Sequence, residues 1–404
     1  MTVGGGITSA NGVVTLKATG DLTVNSSVTI NSGTGTMLLG ADLTSAGAGD
    51  DGTGILTVAN SASVTSANTT AAGITLQGAD ISLAGTVSAT GIGGGVTVRS
   101  SVLTRPMSIG GTDSAVTGIN LTDAELLKIS TAATGAVTFG DGAQVGDITI
   151  TTASPATTAG TAIIFQQLTT GAGKIVLDDG ANTGTALSGN GGTIALIAGT
   201  GGIVALAANN TSAEIATTGA SVTLNTSGAI GTASNRIQFA DNTTTTQQNV
   251  IIGSSTQTSN VFLDGLGSLT LGSITGSTAN TNVDVTARTN LVVATSAIIT
   301  TGTGTISLGA DLTAASAADN KTGSLTISSS ANVTSASTAA TAITIRGADM
   351  TLTGTVAATG TTGGIVIAPS DPTLPMSLGG LDNAVTGVNL TDSELLLVTT
   401  ATGG

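Results

Sequence analysis

Residues 39–44 have the sequence LGADLT, and the same six residues return at positions 308–313. The match continues without a gap on both sides, so that residues 11–135 correspond to residues 280–404 at a constant offset of 269. Many of the differences exchange Ile, Val, Leu and Met, or Ser, Thr and Ala, which preserves a buried pattern. The chain is therefore predicted to be a tandem repeat.

The offset defines two repeat units. Residues 11–279 form one complete unit and residues 280–404 form part of a second, and we expect one continuous fold over residues 1–404. Gly404 corresponds to Gly135, after which the first copy runs on without a break. Stacked arrays normally close with an atypical polar cap. We therefore expect the sequence to be a segment of a longer array.

The large repeat contains a shorter sequence periodicity. The triplet Gly-Ala-Asp at residues 40–42 recurs at residues 78–80, and an apolar run at residues 55–58 lies midway. This spacing predicts windings of about 19 residues. Similar runs alternate apolar residues with Thr, Ala or Ser, a period of two that predicts strands with one buried face. They lie at residues 74–76, 96–98, 148–150, 163–165, 175–177, 194–196, 222–224, 237–239, 250–252 and 269–271.

The composition favours stacked windings over hairpins. Of the 404 residues 40% are apolar, but only 1% are aromatic, and Trp and Tyr are absent. A narrow interior accommodates Val, Ile, Leu and Ala, and each strand would pair with its counterpart about 4.8 Å away. Crossovers between parallel strands are right-handed in nearly all proteins. The predicted fold class is all-β, a right-handed parallel β-helix (β-solenoid).

One element interrupts the strand pattern in each repeat. Thr122 and Glu125 have capping-box spacing, and Thr391 and Glu394 repeat it. A short helix is predicted to begin near Thr122. Asp123 and Glu125 could instead form a carboxylate pair of the glycosidase type. An N-terminal cap with acidic residues favoured by the helix dipole explains the same residues without further polar groups.

The remaining acidic residues also have structural explanations. The Gly-Ala-Asp triplets predict sharp corners, where Asp can bond nearby backbone N–H groups. Binding of Ca²⁺ by Asp42 and Asp80 is the alternative, but single carboxylates so far apart lack the several oxygen ligands that Ca²⁺ takes. The Asp-Asp pairs at residues 50–51 and 178–179 are predicted to be solvated loops. No catalytic, metal-binding or cofactor-binding residue is assigned.

Several classes of function are disfavoured by composition. The chain has no His and no Cys, which removes the usual general base, soft metal ligand and thiol nucleophile. We therefore expect no enzyme activity and no cofactor. A net charge of −14 argues against nucleic-acid partners. The sequence contains no run of 18 apolar residues, so no membrane-spanning segment is predicted. Residues 149–151 have the Thr-x-Thr spacing of ice-binding faces, but the register is not sustained along the chain.

Two short segments of the sequence resemble a known family. Residues 227–237 (SGAIGTASNRI) and residues 121–126 (LTDAEL) resemble sequences in giant bacterial surface proteins of the filamentous haemagglutinin and autotransporter-adhesin kind. The resemblance implies short strands wound into a right-handed β-helix, and an exported protein at the cell surface or in the matrix. It implies no site residues, because the repeats of that family form a scaffold.

We therefore expect a structural rod or stalk segment of a large bacterial cell-surface adhesin or extracellular fibre, without catalysis. The expected location is extracellular or at the bacterial cell surface. Exposed strand edges could join other copies end to end or laterally, and host-surface or matrix glycans could also be partners. Two alternatives stay open: a polysaccharide-active β-helix enzyme, and a glycan- or receptor-binding module.

Overall fold

The computed structural model describes residues 1–180, 183–218, 221–241, 249–276 and 281–404. The chain forms two compact units: unit 1 is Met1–Gly201 and unit 2 is Gly202–Gly404. The regular secondary structure of both units is almost wholly short strands, and the pairings between these strands are parallel. The all-β prediction is confirmed at this level.

Unit 1 contains one four-residue helix, α1 (Asp123–Leu126), among the strands of its described residues. In chain order these strands are β1 (Thr2–Val3), β2 (Ile7–Thr8), β3 (Val14–Lys17), β4 (Leu22–Val24), β5 (Thr29–Asn31), β6 (Met37–Gly40), β7 (Ile55–Val58), β8 (Ser63–Ser66), β9 (Ile74–Gly78), β10 (Asp80–Leu83), β11 (Thr86–Ala89), β12 (Val96–Ser100), β13 (Met107–Gly110), β14 (Ile119–Thr122), β15 (Ile129–Thr131), β16 (Ala136–Gly140), β17 (Ile148–Thr151), β18 (Ala162–Gln166), β19 (Lys174–Asp178), β20 (Leu187–Ser188) and β21 (Ile194–Ile197).

Unit 2 likewise contains one four-residue helix, α2 (Asp392–Leu395), within its described residues. Its strands are β22 (Gly202–Ala205), β23 (Ile215–Ala216), β24 (Ser221–Asn225), β25 (Ile237–Phe239), β26 (Asn249–Gln257), β27 (Val261–Gly265), β28 (Leu269–Gly276), β29 (Val283–Ala287), β30 (Leu291–Val293), β31 (Ile298–Thr301), β32 (Ile306–Ala310), β33 (Ser324–Ile327), β34 (Asn332–Ser335), β35 (Ile343–Gly347), β36 (Asp349–Leu352), β37 (Thr355–Ala358), β38 (Ile365–Pro369), β39 (Met376–Leu378), β40 (Val388–Leu390) and β41 (Val398–Thr400). Each predicted apolar run lies in one of the strands of the two units.

The strands of unit 1 enter three sheets in turn. β1, β2 and β3 belong to different sheets, and β4, β5 and β6 then pair with them in the same order. The next two sets of three strands, up to β12, continue the same sheets. We call each passage through the three sheets a circuit. Because neighbouring strands run parallel, the chain must travel through the other two sheets before it returns.

A circuit is longer than the sequence predicted. In the sheet that contains β3, six pairing steps lead from Val14 to Ile194, so one circuit takes 30 residues on average. Gly40 in β6 pairs with Gln77 in the next strand of this sheet, β9. The two Gly-Ala-Asp triplets are therefore separated by one circuit. The predicted winding of about 19 residues is wrong. The prediction assumed that β7 lies in the same sheet as β6. In the structure β7 belongs to a different sheet, where it pairs with β4 and β10.

The interior of unit 1 is a set of columns in register. One column places an apolar side chain of each successive strand directly beside its predecessor, and its members have no exposed surface. Near its end Phe139 and Phe165 stack with their ring centroids 5.0 Å apart. Such columns bury apolar surface while the backbone between them stays fully hydrogen-bonded. The column consists of Leu39, Leu76, Val98, Phe139, Phe165 and Leu196.

Unit 2 has the same construction, with ladders that run from the end of the first copy into the second. β25, β27, β29, β32, β35 and β38 pair in this order. Two further ladders leave β28, one through β30, β33 and β36, and one through β31, β34, β37 and β41. A short pair of strands, β39 and β40, lies beside them. The interior again consists of Val, Ile, Leu and Ala, as the composition predicts.

The columns make a prediction about stability. Phe139→Ala should lower the free energy of unfolding of unit 1 by about 3–5 kcal/mol, because it leaves a cavity beside Phe165. Urea unfolding followed by circular dichroism measures the change. Ile92→Ala is the matched control, since Ile92 is 82% exposed and its truncation should change the free energy by less than about 0.5 kcal/mol. Equal effects of the two variants would contradict the column.

Candidate functional site

Asp42 occupies the predicted corner after β6. It has no exposed surface and its φ is 54°, in the left-handed region. Its Oδ1 atom accepts hydrogen bonds from the backbone N–H groups of Asp51 (3.0 Å) and Gly52 (2.8 Å). Its Oδ2 atom accepts a hydrogen bond from the hydroxyl of Ser101. Both oxygens are thus bonded within the fold, and the corner prediction is confirmed for this residue.

The second copy builds the same corner with a different loop sequence. Asp311 has a φ of 56° and accepts hydrogen bonds from the backbone N–H groups of Asn320 (2.9 Å) and Lys321 (2.8 Å). The hydroxyl of Ser370 donates to its second oxygen. Lys321 can replace Gly52 because the carboxylate bonds the backbone of this residue and not its side chain. The recurrence identifies the carboxylate as a loop anchor.

The second triplet, at residues 78–80, also forms a corner. A single bent residue, Ala79, separates the end of β9 from Asp80 at the start of β10, and these two strands belong to different sheets. Its Oδ1 atom accepts hydrogen bonds from the backbone N–H groups of Ile81 (2.8 Å) and Asn120 (2.9 Å). Burial raises the pKa of Asp80 above its ordinary value, although these hydrogen bonds act in the opposite direction. The corner prediction is confirmed for this triplet, and the carboxylate also bonds the start of β14, which lies beside β10.

The two Asp-Asp pairs have different environments. Asp50 and Asp51 are exposed, as predicted for a solvated loop. A hydrogen bond from Thr53 lowers the pKa of Asp51. The prediction is wrong for the second pair, because Asp178 is the last residue of β19 and Asp179 has no exposed surface. Pairing of β19 with β17 places Asp178 at the end of a sheet strand, and Asp179 follows it directly, which the local sequence does not indicate.

The predicted helix cap is present in both copies. Thr122 caps α1, and Glu125 Oε2 accepts hydrogen bonds from the backbone N–H (3.0 Å) and the hydroxyl (2.9 Å) of Thr122. Glu125 Oε1 accepts a further hydrogen bond from the backbone N–H of Leu83 (2.9 Å). α2 has the same capping box, in which Glu394 bonds Thr391 and, at 2.9 Å, the N–H of Leu352. The capping interpretation is confirmed.

The carboxylates of α1 are poorly placed for glycosidase chemistry. A general acid must hold a proton that it can donate, and a nucleophile needs a free oxygen. Both oxygens of Glu125 already accept hydrogen bonds that hold the helix and β10 in place. Partial burial raises the pKa of Asp123, but its hydrogen-bonding partner is the backbone of Ser154.

A surface groove of about 380 Å³ lies on unit 1 over β13, β17 and β19. Ser108, Thr149 and Val176 are in register across these strands, so the threonines do not form the continuous row of an ice-binding face. Asp178 is the one carboxylate in the lining, and its Oδ2 accepts a hydrogen bond from the Thr151 hydroxyl (3.3 Å). Hydroxyl groups with one carboxylate can bind polar ligands but lack an acid–base pair. The lining is Ser108, Gly111, Thr112, Ala115, Val116, Thr149, Thr151 and Asp178.

A buried cluster of charged and amide side chains lies in unit 2. Arg236 is 3% exposed, and its Nη2 atom donates to Asp284 Oδ2 at 2.7 Å. Its Nη1 atom donates to the backbone carbonyls of Leu263 and Asp284, both at 3.1 Å. The guanidinium also lies 5.8 Å from the centre of the Phe262 ring. A buried arginine with this many partners locks β25, β27 and β29 together.

Asp264 is a further charged residue of this cluster and has no exposed surface. Its Oδ1 atom accepts a hydrogen bond from the Thr286 hydroxyl (2.6 Å), and its Oδ2 atom accepts one from the Gln238 amide (2.8 Å). Burial raises the pKa of Asp264, whereas these hydrogen bonds and the nearby arginines lower it. The effect of burial is the larger, so the pKa lies above its ordinary value.

The cluster also fastens a loop onto the sheet. Gln238 Oε1 accepts a hydrogen bond from the backbone N–H of Asn210 (2.8 Å), and Arg288 Nη2 donates to the carbonyl of Asn210 (2.9 Å). Glu214 Oε2 accepts a hydrogen bond from the backbone N–H of Gln238 (2.7 Å). These contacts hold the loop at residues 210–214, so the cluster is best explained as a structural clamp. The sequence alone does not reveal it, because its members are isolated polar residues far apart in the chain.

The described residues contain no group of three or more Asp or Glu side chains arranged to hold a metal ion. Within the same part of the chain, neither helix has the length or the continuous apolar surface that crossing a membrane requires.

The role of Glu125 can be tested by mutation. Glu125→Ala should lower the free energy of unfolding by about 1–3 kcal/mol, because the N–H groups of Thr122 and Leu83 lose their acceptor. Glu394→Ala should give a similar loss, since it bonds Thr391 and Leu352 in the same way. Thermal and urea unfolding measure both. Asp113→Ala, which removes an exposed carboxylate, is the control. A loss confined to one copy would contradict the shared role.

The raised pKa of Asp264 predicts a specific pH dependence. Protonation favours the folded state, so the contribution of Asp264 is fully present below the unfolded pKa of about 3.9 and is lost as pH rises through the higher folded value. The free energy of unfolding of the native protein, relative to that of Asp264→Asn, should therefore fall as pH rises. Urea titrations at several pH values measure it. Asp319→Asn, at an exposed carboxylate, should show no such trend.

Comparison of the chain with protein-family models, with curated proteins and with solved structures gives no match.

Proposed function

We propose that the chain is a structural rod or stalk segment of a large bacterial cell-surface adhesin or extracellular fibre, and that it has no catalytic role. The observation that carries the proposal is the use of its acidic side chains. Asp42, Glu125 and their counterparts Asp311 and Glu394 bond backbone N–H groups in the same way in both copies. Repeated anchoring of loops and helices is what a scaffold requires.

The proposed architecture is a right-handed β-solenoid in which each circuit is one winding. The three-sheet circuits of unit 1 and the in-register columns of both units support it. The right-handed sense follows from the general preference of parallel crossovers. With about 4.8 Å between neighbouring strands, each additional circuit would lengthen the stack by that distance. Adding repeats would then extend the reach of the protein without a new fold.

The surface location rests on the resemblance of residues 227–237 and 121–126 to bacterial surface repeats. Arg236 in the segment 227–237 belongs to the buried clamp, and the segment 121–126 contains α1 and its cap. Both segments therefore contain residues that hold the fold together. A family that shares a scaffold would keep such residues, and this supports the proposal.

Glycan binding is a second candidate role, favoured by the groove over β13, β17 and β19. Its volume of about 380 Å³ and its lining of hydroxyl groups with Asp178 suit a small polar ligand such as part of a sugar chain. Trp and Tyr, which often stack against sugar rings, do not occur in the sequence. The groove therefore favours weak, hydrogen-bonded recognition over processing of the glycan.

Two measurements test the proposed function. Antibodies raised against this chain should label the outside of intact source cells, and label confined to the cell interior would contradict the location. The purified protein should release no reducing sugar from a broad panel of polysaccharides. Release that is lost in Asp178→Asn but kept in Asp319→Asn would overturn the structural role in favour of an enzyme.

A further inference from the structure

The groove over β13, β17 and β19 has a wall that is held in the same way in both repeat copies. Residues 111–116 supply this wall. The buried side chain of Asn120 fixes it, because its Oδ1 atom accepts a hydrogen bond from the backbone N–H of Val116 (2.9 Å). Its Nδ2 atom donates to the carbonyls of Val116 (3.0 Å) and Gly118 (2.8 Å). Asn389 makes the same three bonds in the second copy, so the wall is part of the general plan of the repeat.

The floor of the groove contains a hydroxyl group that the fold does not use. Ser108 of β13 lines the groove and is only 2% exposed. Within the described residues, its hydroxyl has no hydrogen-bonding partner. Thr149 of β17 lies beside it in register and brings a second hydroxyl into the lining. Buried hydroxyls normally have partners, so a hydroxyl that is left unbonded at a groove is available to a ligand.

A glycine keeps this hydroxyl open. A Cβ atom on Gly111 would lie 2.8 Å from Ser108 Oγ, so any side chain at this position would displace or cover the hydroxyl. Gly380 has the same relation to Ser377 in the second copy, at 3.0 Å. Gly111 does not have a positive φ, so its backbone conformation does not require glycine. The space in front of the hydroxyl therefore explains why glycine stands here.

Asp178 gives the groove a carboxylate without a cation beside it. Its Oδ1 atom accepts a hydrogen bond from the backbone N–H of Gly180 (3.0 Å), and its Oδ2 atom accepts the long bond from Thr151 (3.3 Å). Each carboxylate oxygen has two lone pairs, so both can accept a further bond from a ligand. The lining contains no Lys or Arg, and the whole chain has a net charge of −14. The groove therefore favours a positively charged donor and repels carboxylated or sulfated sugars.

We propose that the groove binds one sugar unit that carries a free amino group, as in a glycan whose N-acetyl groups have been removed. The inference rests on the glycan-binding role and names its ligand class. The ammonium group donates to Asp178, and the sugar hydroxyls bond Ser108 and Thr149. The carbon atoms of the ring lie against Ala115 and Val116. The volume of about 380 Å³ is at the small end of ligand pockets, which suits a single unit.

Two arguments select this ligand over its nearest alternatives. A neutral sugar can also bond Asp178, but a hydrogen bond between an ammonium and a carboxylate is about twice as strong as a neutral one. The side chain of a lysine has the same ammonium on an alkyl stem. Such a stem leaves the hydroxyls of Ser108 and Thr149 without partners, and unpaired polar groups are costly. An amino sugar satisfies both the carboxylate and the hydroxyls.

Ligand-detected NMR titrations of the full chain test the ligand class, at a pH at which the amine is protonated. Methyl glucosaminide should bind about tenfold more tightly than methyl glucoside or methyl N-acetylglucosaminide. Equal binding of the three sugars would overturn the preference for the amine and leave the glycan-binding role standing. Binding of Nα-acetyl-lysine amide as tight as that of methyl glucosaminide would overturn the assignment to a sugar. No binding of any sugar would overturn both the inference and the glycan-binding role.

Variants of the carboxylate test its part in the preference. Asp178→Asn should bring the affinities for methyl glucosaminide and methyl glucoside to within about twofold of each other, because the ammonium loses its charged acceptor. Asp319→Asn is the matched control, since it removes the same charge at an exposed position elsewhere. An equal loss in both variants would show attraction by net charge alone and overturn the site. Circular dichroism checks that both variants are folded.

Variants of the floor test the free hydroxyl. Ser108→Ala should weaken binding of methyl glucosaminide by about two- to tenfold and leave the midpoint of thermal unfolding unchanged, because the hydroxyl bonds only the ligand. Gly111→Ala should weaken binding at least as much, since its Cβ would displace the hydroxyl. Gly20→Ala is the control, because a Cβ there has no atom within 4 Å. Native affinity in Ser108→Ala and Gly111→Ala would overturn the proposed site.

Discussion

The parallel ladder in register is the constraint on which the rest of the structure depends. Each strand gives its backbone hydrogen bonds to a neighbour one circuit away, and in the same step it places an apolar side chain beside one of similar size. A shift of one residue would turn these side chains to the outer face. The columns Leu39–Leu76–Val98 and Leu263–Val285–Leu308 therefore fix backbone register and interior together.

Loops are tolerated in this arrangement because polar side chains anchor them. The pairing steps from β3 to β21 vary in length, so each circuit must absorb extra residues outside the ladder. Asp42 and Glu125 do this by accepting backbone N–H groups of the inserted segment or its neighbour. Carboxylates engaged in this way are already used in holding the fold together. The scarcity of catalytic residue types and this use of Asp42 and Glu125 both support the proposed scaffold role.

Unit 2 adds an anchor of a different kind. Arg236, Asp264 and Gln238 form a buried polar cluster that joins three strands and, with Glu214, holds the loop at residues 210–214. Burial of charge is costly unless each group finds partners, so such a cluster specifies one arrangement of loop and sheet. In the first copy, Thr15 and Thr19 stand where the second copy has Asp284 and Arg288. The first copy therefore lacks two of the charged residues that the clamp uses.

The sequence by itself determined the strands, the tandem repeat and the capped helix. These features depend on local alternation, on identity at a fixed offset, and on the three-residue spacing of Thr122 and Glu125. Only the tertiary structure decided how long a circuit is, because a sequence of similar strands does not state which sheet each one enters. It also decided that Asp80 lies in a strand and that Asp179 is buried, since both depend on strands distant in the chain. The clamp around Arg236 was beyond local reasoning for the same reason, because it is defined by which strands lie alongside one another.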